Sequence, residues 1–309
     1  MNPAPIALFV YNRMKHTAAT VTALQNNALA KETELFIFSD GSPTAAQAGL
    51  VKEVRNYLYT IKGFKKISVT ERTGNYGLAR NIIDGVTSII NNHHKVIVVE
   101  DDLVTSPYFL QYMNAALDRY ENQTQVVCVH GYLPPVKEAL PETFFLKGTD
   151  CWGWATWKRG WDLFERDGKK LLDHLLKNNL TSEFDYEGAY PFTQVLEDQI
   201  KGINNSWAIR WKASAFIKNK LTLYPGRSLV QNIGNDGTGI HSGSSTNFDT
   251  ELSRSGINLT DIPVEVNAFC RSSYVTYFNS IKPALLKRLF SRLKTIAKNA
   301  ILKKNNSLG

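Results

Sequence analysis

Four consecutive β-branched residues, Val96-Ile97-Val98-Val99, run directly into three carboxylates, Glu100-Asp101-Asp102. A short apolar run of this kind fits a strand buried on both faces, as in a parallel sheet covered by helices. The preceding residues supply the rest of such a sheet. Strand patterns cover 6–10, 35–38, 66–70 and 95–99, and helical spacing covers 17–30 (through Val21, Leu24 and Ala28), 45–60 and 78–91. Strands separated by helices of ten to fifteen residues imply a mostly parallel α/β sheet with helices on both faces. In such sheets ligands sit at the carboxyl ends of the strands. The polar residues just past three of these strands, Asn12-Arg13, Asp40 and Glu100-Asp101-Asp102, are therefore expected to converge on one edge.

Beyond Asp102 the pattern is less regular. A helix is expected over 106–120 with Pro107 in its first turn, a strand over 125–129, a helix over 171–180 and a short strand over 221–224. Residues 148–165 form an aromatic-rich segment, and 232–247 a loop rich in Gly, Ser and Asn. No internal repeat or low-complexity stretch is present. With 43% hydrophobic and 21% charged residues, the chain is neither disordered nor a coiled coil. Its net charge of +8 is local: residues 281–309 hold eight basic residues and no acid, leaving 28 of each sign in the remainder. The body thus has no electrostatic footprint for nucleic acid.

Over 282–302, Leu285, Leu286, Leu289, Phe290, Leu293, Ile296 and Ala300 fall on one helical face, opposite Lys287, Arg288, Arg292, Lys294 and Lys298. This pattern fits an interfacial helix on anionic lipid, with a helix docked on the protein's own body as the alternative. No apolar run approaches the length of a membrane span. Three cysteines without framework spacing fit a reducing compartment, and the amino-terminal residues lack a secretory pattern. The expected location is the cytoplasm, peripheral on the inner face of the cell membrane.

Three adjacent carboxylates are costly to bury, because like charges disfavour joint ionisation. A divalent cation at the strand end relieves that cost, and hard oxygen donors suit magnesium or manganese completed by substrate phosphates. The same acids also read as a solvated strand end. A second cluster, Thr73-Gly-Asn75-Tyr-Gly77-Leu-Ala-Arg80-Asn81, offers a helix amino terminus with a guanidinium nearby, a ready phosphate site. It reads equally as a Gly-rich turn with Arg80 paired to a neighbouring acid.

Taken together, the Val-Tyr-Asn-Arg after the first strand, the Ser-Asp after the second, the N-x-G-x-x-x-R-N segment and the VVEDD strand end resemble GT-A-fold glycosyltransferases. The likeness is to N-acetylglucosaminyltransferase I-like enzymes and related bacterial sugar transferases, and it extends over about residues 5–245. It implies a Rossmann-like GT-A fold: a nucleotide-sugar-binding half at 1–130, an acceptor-binding half of the same domain at 131–280, and a basic tail at 281–309. It further implies an inverting, metal-dependent transfer from a nucleoside diphosphate sugar, with UDP-N-acetylglucosamine as a candidate. The acceptor would be a hydroxyl of a glycan or lipid-linked molecule in surface polysaccharide synthesis. By the resemblance Asp102 holds Mn2+ or Mg2+, Glu100 and Asp101 face the sugar and ribose, and Asp40 recognises the base. Arg13 and Arg80 take the nucleotide and its phosphates, beside Asn12, Asn75 and Gly77.

Four of the six tryptophans lie in Cys151-Trp-Gly-Trp-Ala-Thr-Trp-Lys-Arg-Gly-Trp161. Trp157 and Trp161 read as packing. Trp152-Gly153-Trp154 is the candidate acceptor or sugar platform, since glycine lets backbone approach a ligand. An inverting transfer needs a base for the acceptor hydroxyl, and Asp198, with Glu197 as substitute, is the candidate, followed by Arg210 on the acceptor side. Both acids read equally as a helix-surface pair. His241, in the 232–247 loop, is a candidate second metal ligand. Two other functions fit the same outline: a sugar-nucleotide nucleotidyltransferase, though the segment after the first strand lacks the expected glycines, and a non-enzymatic membrane-binding module.

Overall fold

The computed structural model describes residues 3–237 and 245–282. The strands are β1 (Ile6–Val10), β2 (Glu34–Ser39), β3 (Lys66–Glu71), β4 (Lys95–Glu100), β5 (Leu103–Thr105), β6 (Val126–His130), β7 (Thr143–Lys147), β8 (Trp154–Trp157), β9 (Leu221–Pro225) and β10 (Val230–Asn232). The helices are α1 (Met14–Gln25), α2 (Ala45–Leu58), α3 (Leu78–His93), α4 (Phe109–Arg119), α5 (Lys158–Trp161), α6 (Gly168–Lys177), α7 (Thr181–Phe184), α8 (Phe192–Ile200) and α9 (Trp207–Ile217). Residues 268–282 are also helical.

Eight strands form one sheet in the order β3-β2-β1-β4-β8-β6-β9-β7, and β5 pairs with β10 in a separate ribbon. β3, β2, β1 and β4 are mutually parallel. β8 enters antiparallel between β4 and β6, so β6 and β9 again point the same way as β4. Alternate residues of β4 serve the two faces, as pleating requires. Ile97 and Val99 pack with Val21 and Leu24 of α1 and Val54 and Leu58 of α2. Val96 and Val98 pack with Ile82, Val86 and Ile90 of α3 and with four tryptophans. Helices therefore cover both faces, as the sequence implied, and the sheet continues without a break across residue 130.

Two expectations need correction. The helix expected over 106–120 begins at Phe109, with Pro107 in the preceding turn. The 148–165 segment is more than an aromatic block, because it contains β8, a strand at the centre of the sheet with all four residues buried. Its alternation, Trp-Ala-Thr-Trp, is too short to stand out from a tryptophan-rich helix pattern.

Candidate active site at the carboxyl edge of the sheet

β1 and β4 are neighbours with Phe9 opposite Glu100, so the residues after each strand emerge side by side. Arg13, just before α1, reaches across this gap. Its Nη2 donates to Asp102 Oδ2 at 2.5 Å and to Asp101 Oδ1 at 3.2 Å. The Tyr11 amide donates to Asp101 Oδ2 at 3.3 Å, and Thr20 Oγ1 of α1 donates to the Asp101 carbonyl. One guanidinium thus faces three carboxylates. Burial, and then the charge of Asp102, push the Asp101 carboxyl up to about 6 despite Arg13. Glu100 is raised well above the usual carboxylate range for the same reasons. The expected convergence of Arg13, Asp101 and Asp102 is realised.

Asp40 follows β2 and is 5% exposed. Its Oδ1 accepts from the amides of Gly41 and Tyr76, and its Oδ2 from the Gly77 amide and Asn75 Nδ2. Asp40 thereby pins the 75–77 turn to the sheet edge. The two amides that Asp40 takes here, those of Tyr76 and Gly77, lie just ahead of α3, whose own first turn begins at Leu78. Arg80 does not join the cluster. Its side chain is 63% exposed, lies 4.0 Å from the Tyr76 ring centroid and pairs with Asp84 one turn on. Arg80 is thus paired to a neighbouring acid and open to solvent.

The aromatic segment divides. Trp152 stays at the edge, where its amide donates to His130 Nε2 at 3.1 Å and its ring meets Tyr132 and Phe248 edge-on. Trp154 is corrected from a sugar platform to core. It is 0% exposed, with ring centroids 5.5 Å from Trp207, 5.8 Å from Trp161 and 5.9 Å from Trp211. Gly153 is likewise a packing residue: it adopts φ +65°, and a Cβ there would meet Val230 Cγ2 at 2.6 Å. Arg210 is also buried, with Nε donating to the Ser206 carbonyl and Nη1 to the Arg166 carbonyl, so two of its three nitrogens are engaged within the fold. Trp157 and Trp161 are buried, as read.

Glu197 and Asp198 lie on α8, partly exposed. Glu197 pairs with Lys201, and Asp198 Oδ1 accepts from Gln194 Nε2. The Asp198 carbonyl caps the turn to Asn204, ahead of α9, whose first residue Trp207 packs on Trp154 in the core. His241 and the tail from 283 onward lie outside the described residues.

Three participants escaped the sequence reading. His130, at the end of β6, is fully buried and neutral, its pKa lowered to about 4 by burial. Its Nε2 accepts from Trp152, so Nδ1–H donates to the Tyr132 carbonyl. Lys212 sits in the middle of α9, buried, with Nζ donating to the Thr149 carbonyl at 3.3 Å. That lone lysine in WAIRWKASAFI was the available signal. Burial lowers the Lys212 pKa, and the charge of Asp150 opposes that shift. The buried Cys151 thiol is raised first by burial, then by Asp150 and Glu100, which ties the segment to the acid cluster.

A metal implied by this chemistry was tested against the residues present. Among the described residues no three His, Cys, Asp or Glu side chains form a ready cage. The donor set nevertheless fits magnesium or manganese, which typically bind through one or two carboxylates and complete their shell with substrate phosphates and water. The excess negative charge around Asp101 and Asp102 is the complement such an ion needs. Arg13 Nη1, buried without a partner, adds an unspent donor beside it.

The profile of the family described as "Glycosyl transferase family 2" matches residues 6–185, more than half of the chain. No curated protein matches the sequence. Among solved structures, the "Crystal structure of S. aureus TarS" shares 16% identity over 48% of this chain and 25% of that one, with a TM-score of 0.32. The chain thus spans about a quarter of that protein's length. No helix among the described residues is long and apolar enough to cross a membrane.

Proposed function

The chain belongs to glycosyl transferase family 2, and from that premise we propose that its carboxyl-edge cluster binds a nucleoside diphosphate sugar and passes the sugar, with inversion, to an acceptor hydroxyl. The chain is a glycosyltransferase, and enzymes of this family are generally inverting and commonly use divalent metals. UDP-N-acetylglucosamine is the donor to try first, and a glycan or lipid-linked hydroxyl of surface polysaccharide synthesis the acceptor. Both choices rest on the likeness to N-acetylglucosaminyltransferase I-like enzymes. On the sequence pattern alone, the basic tail would carry the enzyme to an anionic membrane bearing such an acceptor.

The observation that carries this reading is the Arg13–Asp101–Asp102 cluster between β1 and β4. Asp102, with Asp101 beside it, would hold Mn2+ or Mg2+. A bound divalent ion supplies charge neutralisation for the departing diphosphate. Arg13 holds the two carboxylates apart from one another's charge and keeps a donor for phosphate oxygen. Asp40 fixes the turn that would frame the nucleoside. Trp152 presents an aromatic edge on the acceptor side, braced by His130. The acceptor proton passes to a carboxylate within hydrogen-bond reach, for which Asp198 is the candidate and Glu197 the substitute.

A panel of nucleotide sugars, assayed for hydrolysis and transfer, tests the assignment. Asp102→Asn is expected to lose turnover by on the order of a hundredfold or more, with an unchanged circular dichroism spectrum. Asp198→Asn should lose transfer while still binding donor. Full turnover in Asp102→Asn overturns the site.

A further inference from the structure

Asp102 is confined from two sides. On one side stands Arg13; on the other is the chain that leaves β10. The Ile233 amide donates to the Asp102 carbonyl at 2.8 Å, and the Gly234 amide turns back to Asn232 Oδ1 at 2.7 Å. The Gly234 backbone lies so close to the acid that a Cβ there would sit 2.1 Å from Asp102 Oδ2. The wall of the candidate metal carboxylate is therefore bare main chain, and its position decides which rotamer Asp102 can keep. Two residues further on, Asp236 Oδ2 meets His16 Nε2 at 3.1 Å, with His16 largely covered and Asp236 half exposed.

His16 lies in the first turn of α1, three residues past Arg13, which caps the start of that helix. The start of one helix thus touches both walls of Asp102, through Arg13 directly and through His16 by way of Asp236. We propose that His16 and Asp236 are positioning residues, a clamp that holds the 232–236 chain against α1 and so fixes the Asp102 carboxylate for its cation. The inference rests on the reading of Asp102 as the metal-holding acid. Partners of this indirect kind matter because a ligand must be held within a fraction of an ångström, and their loss weakens metal binding. The pair is partly exposed, so its effect is modest. Gly234 is the stringent position, since any side chain must displace either the loop or the carboxylate.

The test reads metal binding directly. Manganese(II) is titrated into the protein with uridine diphosphate present, and free Mn2+ is followed by electron paramagnetic resonance. His16→Ala and Asp236→Asn are each expected to raise the half-saturating Mn2+ concentration about two- to fivefold. The double variant should be no worse than the weaker single, because the two residues act as one. His16→Gln, which keeps a donor, should recover much of the loss. Gly234→Ala should raise the concentration about tenfold or more; if it melts early, the other variants still decide. Unchanged binding in both singles, or losses that multiply in the double, overturns the clamp. If the wild type takes up no manganese, or Asp102→Asn takes up as much as wild type, the metal reading itself falls and the clamp with it.

Discussion

On the parallel side of the sheet, β3-β2-β1-β4, polar groups gather past the strand ends and are paired across short gaps: Asp40 with the 75–77 turn, Arg13 with Asp101 and Asp102. On the mixed side, β8-β6-β9-β7, they are drawn inside, as His130 and Lys212, beside the buried Trp154–Trp207 stack. At Glu100, Asp101 and Asp102 the first side keeps more acid than Arg13 neutralises. The second keeps a base neutral by burial. One side is built to receive charge from a ligand, while the other holds a wall still so that Trp152 stands at the edge.

The largest effect that could break this division is the removal of Trp154. As a packing residue at the junction of β4, β8 and β6, Trp154→Ala should cost about 3–5 kcal/mol of stability, measured by urea unfolding. Donor KM should change little in whatever fraction stays folded. A stable Trp154→Ala with a raised acceptor KM would return that ring to the sugar platform and erase the contrast between the two sides.

The next effect concerns His130. Its folded pKa, about 4, lies below the ordinary histidine value, so between about 4 and 6.5 the unfolded chain binds the extra proton. The stability it contributes is present above pH 6.5 and lost as pH falls toward 4, up to about 3 kcal/mol in all. His130→Gln should be less stable at pH 7 and show a flatter fall between pH 6.5 and 4, read by urea unfolding at each pH. An equally steep fall in the variant would place the acid sensitivity elsewhere.

The same contrast explains what the sequence made legible. The parallel side announces itself because each strand, helix and strand-end acid is local: Val96–Val99 is one buried run, and Asp101 and Asp102 follow it in register. Partners across the gap could be inferred from topology alone, and Arg13 was. Capture of Asp40 by the amides of 76 and 77 could not, because turn amides serve a side chain or a ligand with equal chemistry. On the mixed side the information is non-local. Whether Trp154 faces ligand or core depends on β8 lying between β4 and β6, and on Trp207 and Trp211 arriving from α9. Spacing within CWGWATW carries none of that. Part of Arg210's setting is likewise non-local: Ser206 is one turn back on its own helix, but the Arg166 carbonyl comes from a distant segment.

The smallest expected effect carries the opposite sign to that of His130 and sharpens the comparison most. Asp101 has a folded pKa raised to about 6 by burial and by Asp102, above its unfolded value. In the metal-free protein its contribution is therefore present below about pH 4 and lost as pH rises through 6, when the buried carboxyl must ionise beside Asp102. Asp101→Asn keeps the shape without the charge, so in EDTA it should gain on the wild type by about 1–2 kcal/mol above pH 7 and show no gain near pH 4. The loss of its pairing with Arg13 holds the gain to that size. Adding Mn2+ with uridine diphosphate should reverse the order, stabilising the wild type more than the variant, because only the wild type offers the ion the full carboxylate pair. Thermal unfolding at pH 4 and pH 8, with and without the ion, checks all four corners. If Asp101→Asn is less stable than the wild type at pH 8 in EDTA, the acid edge is already balanced by Arg13, and the two sides of the sheet hold charge in the same way.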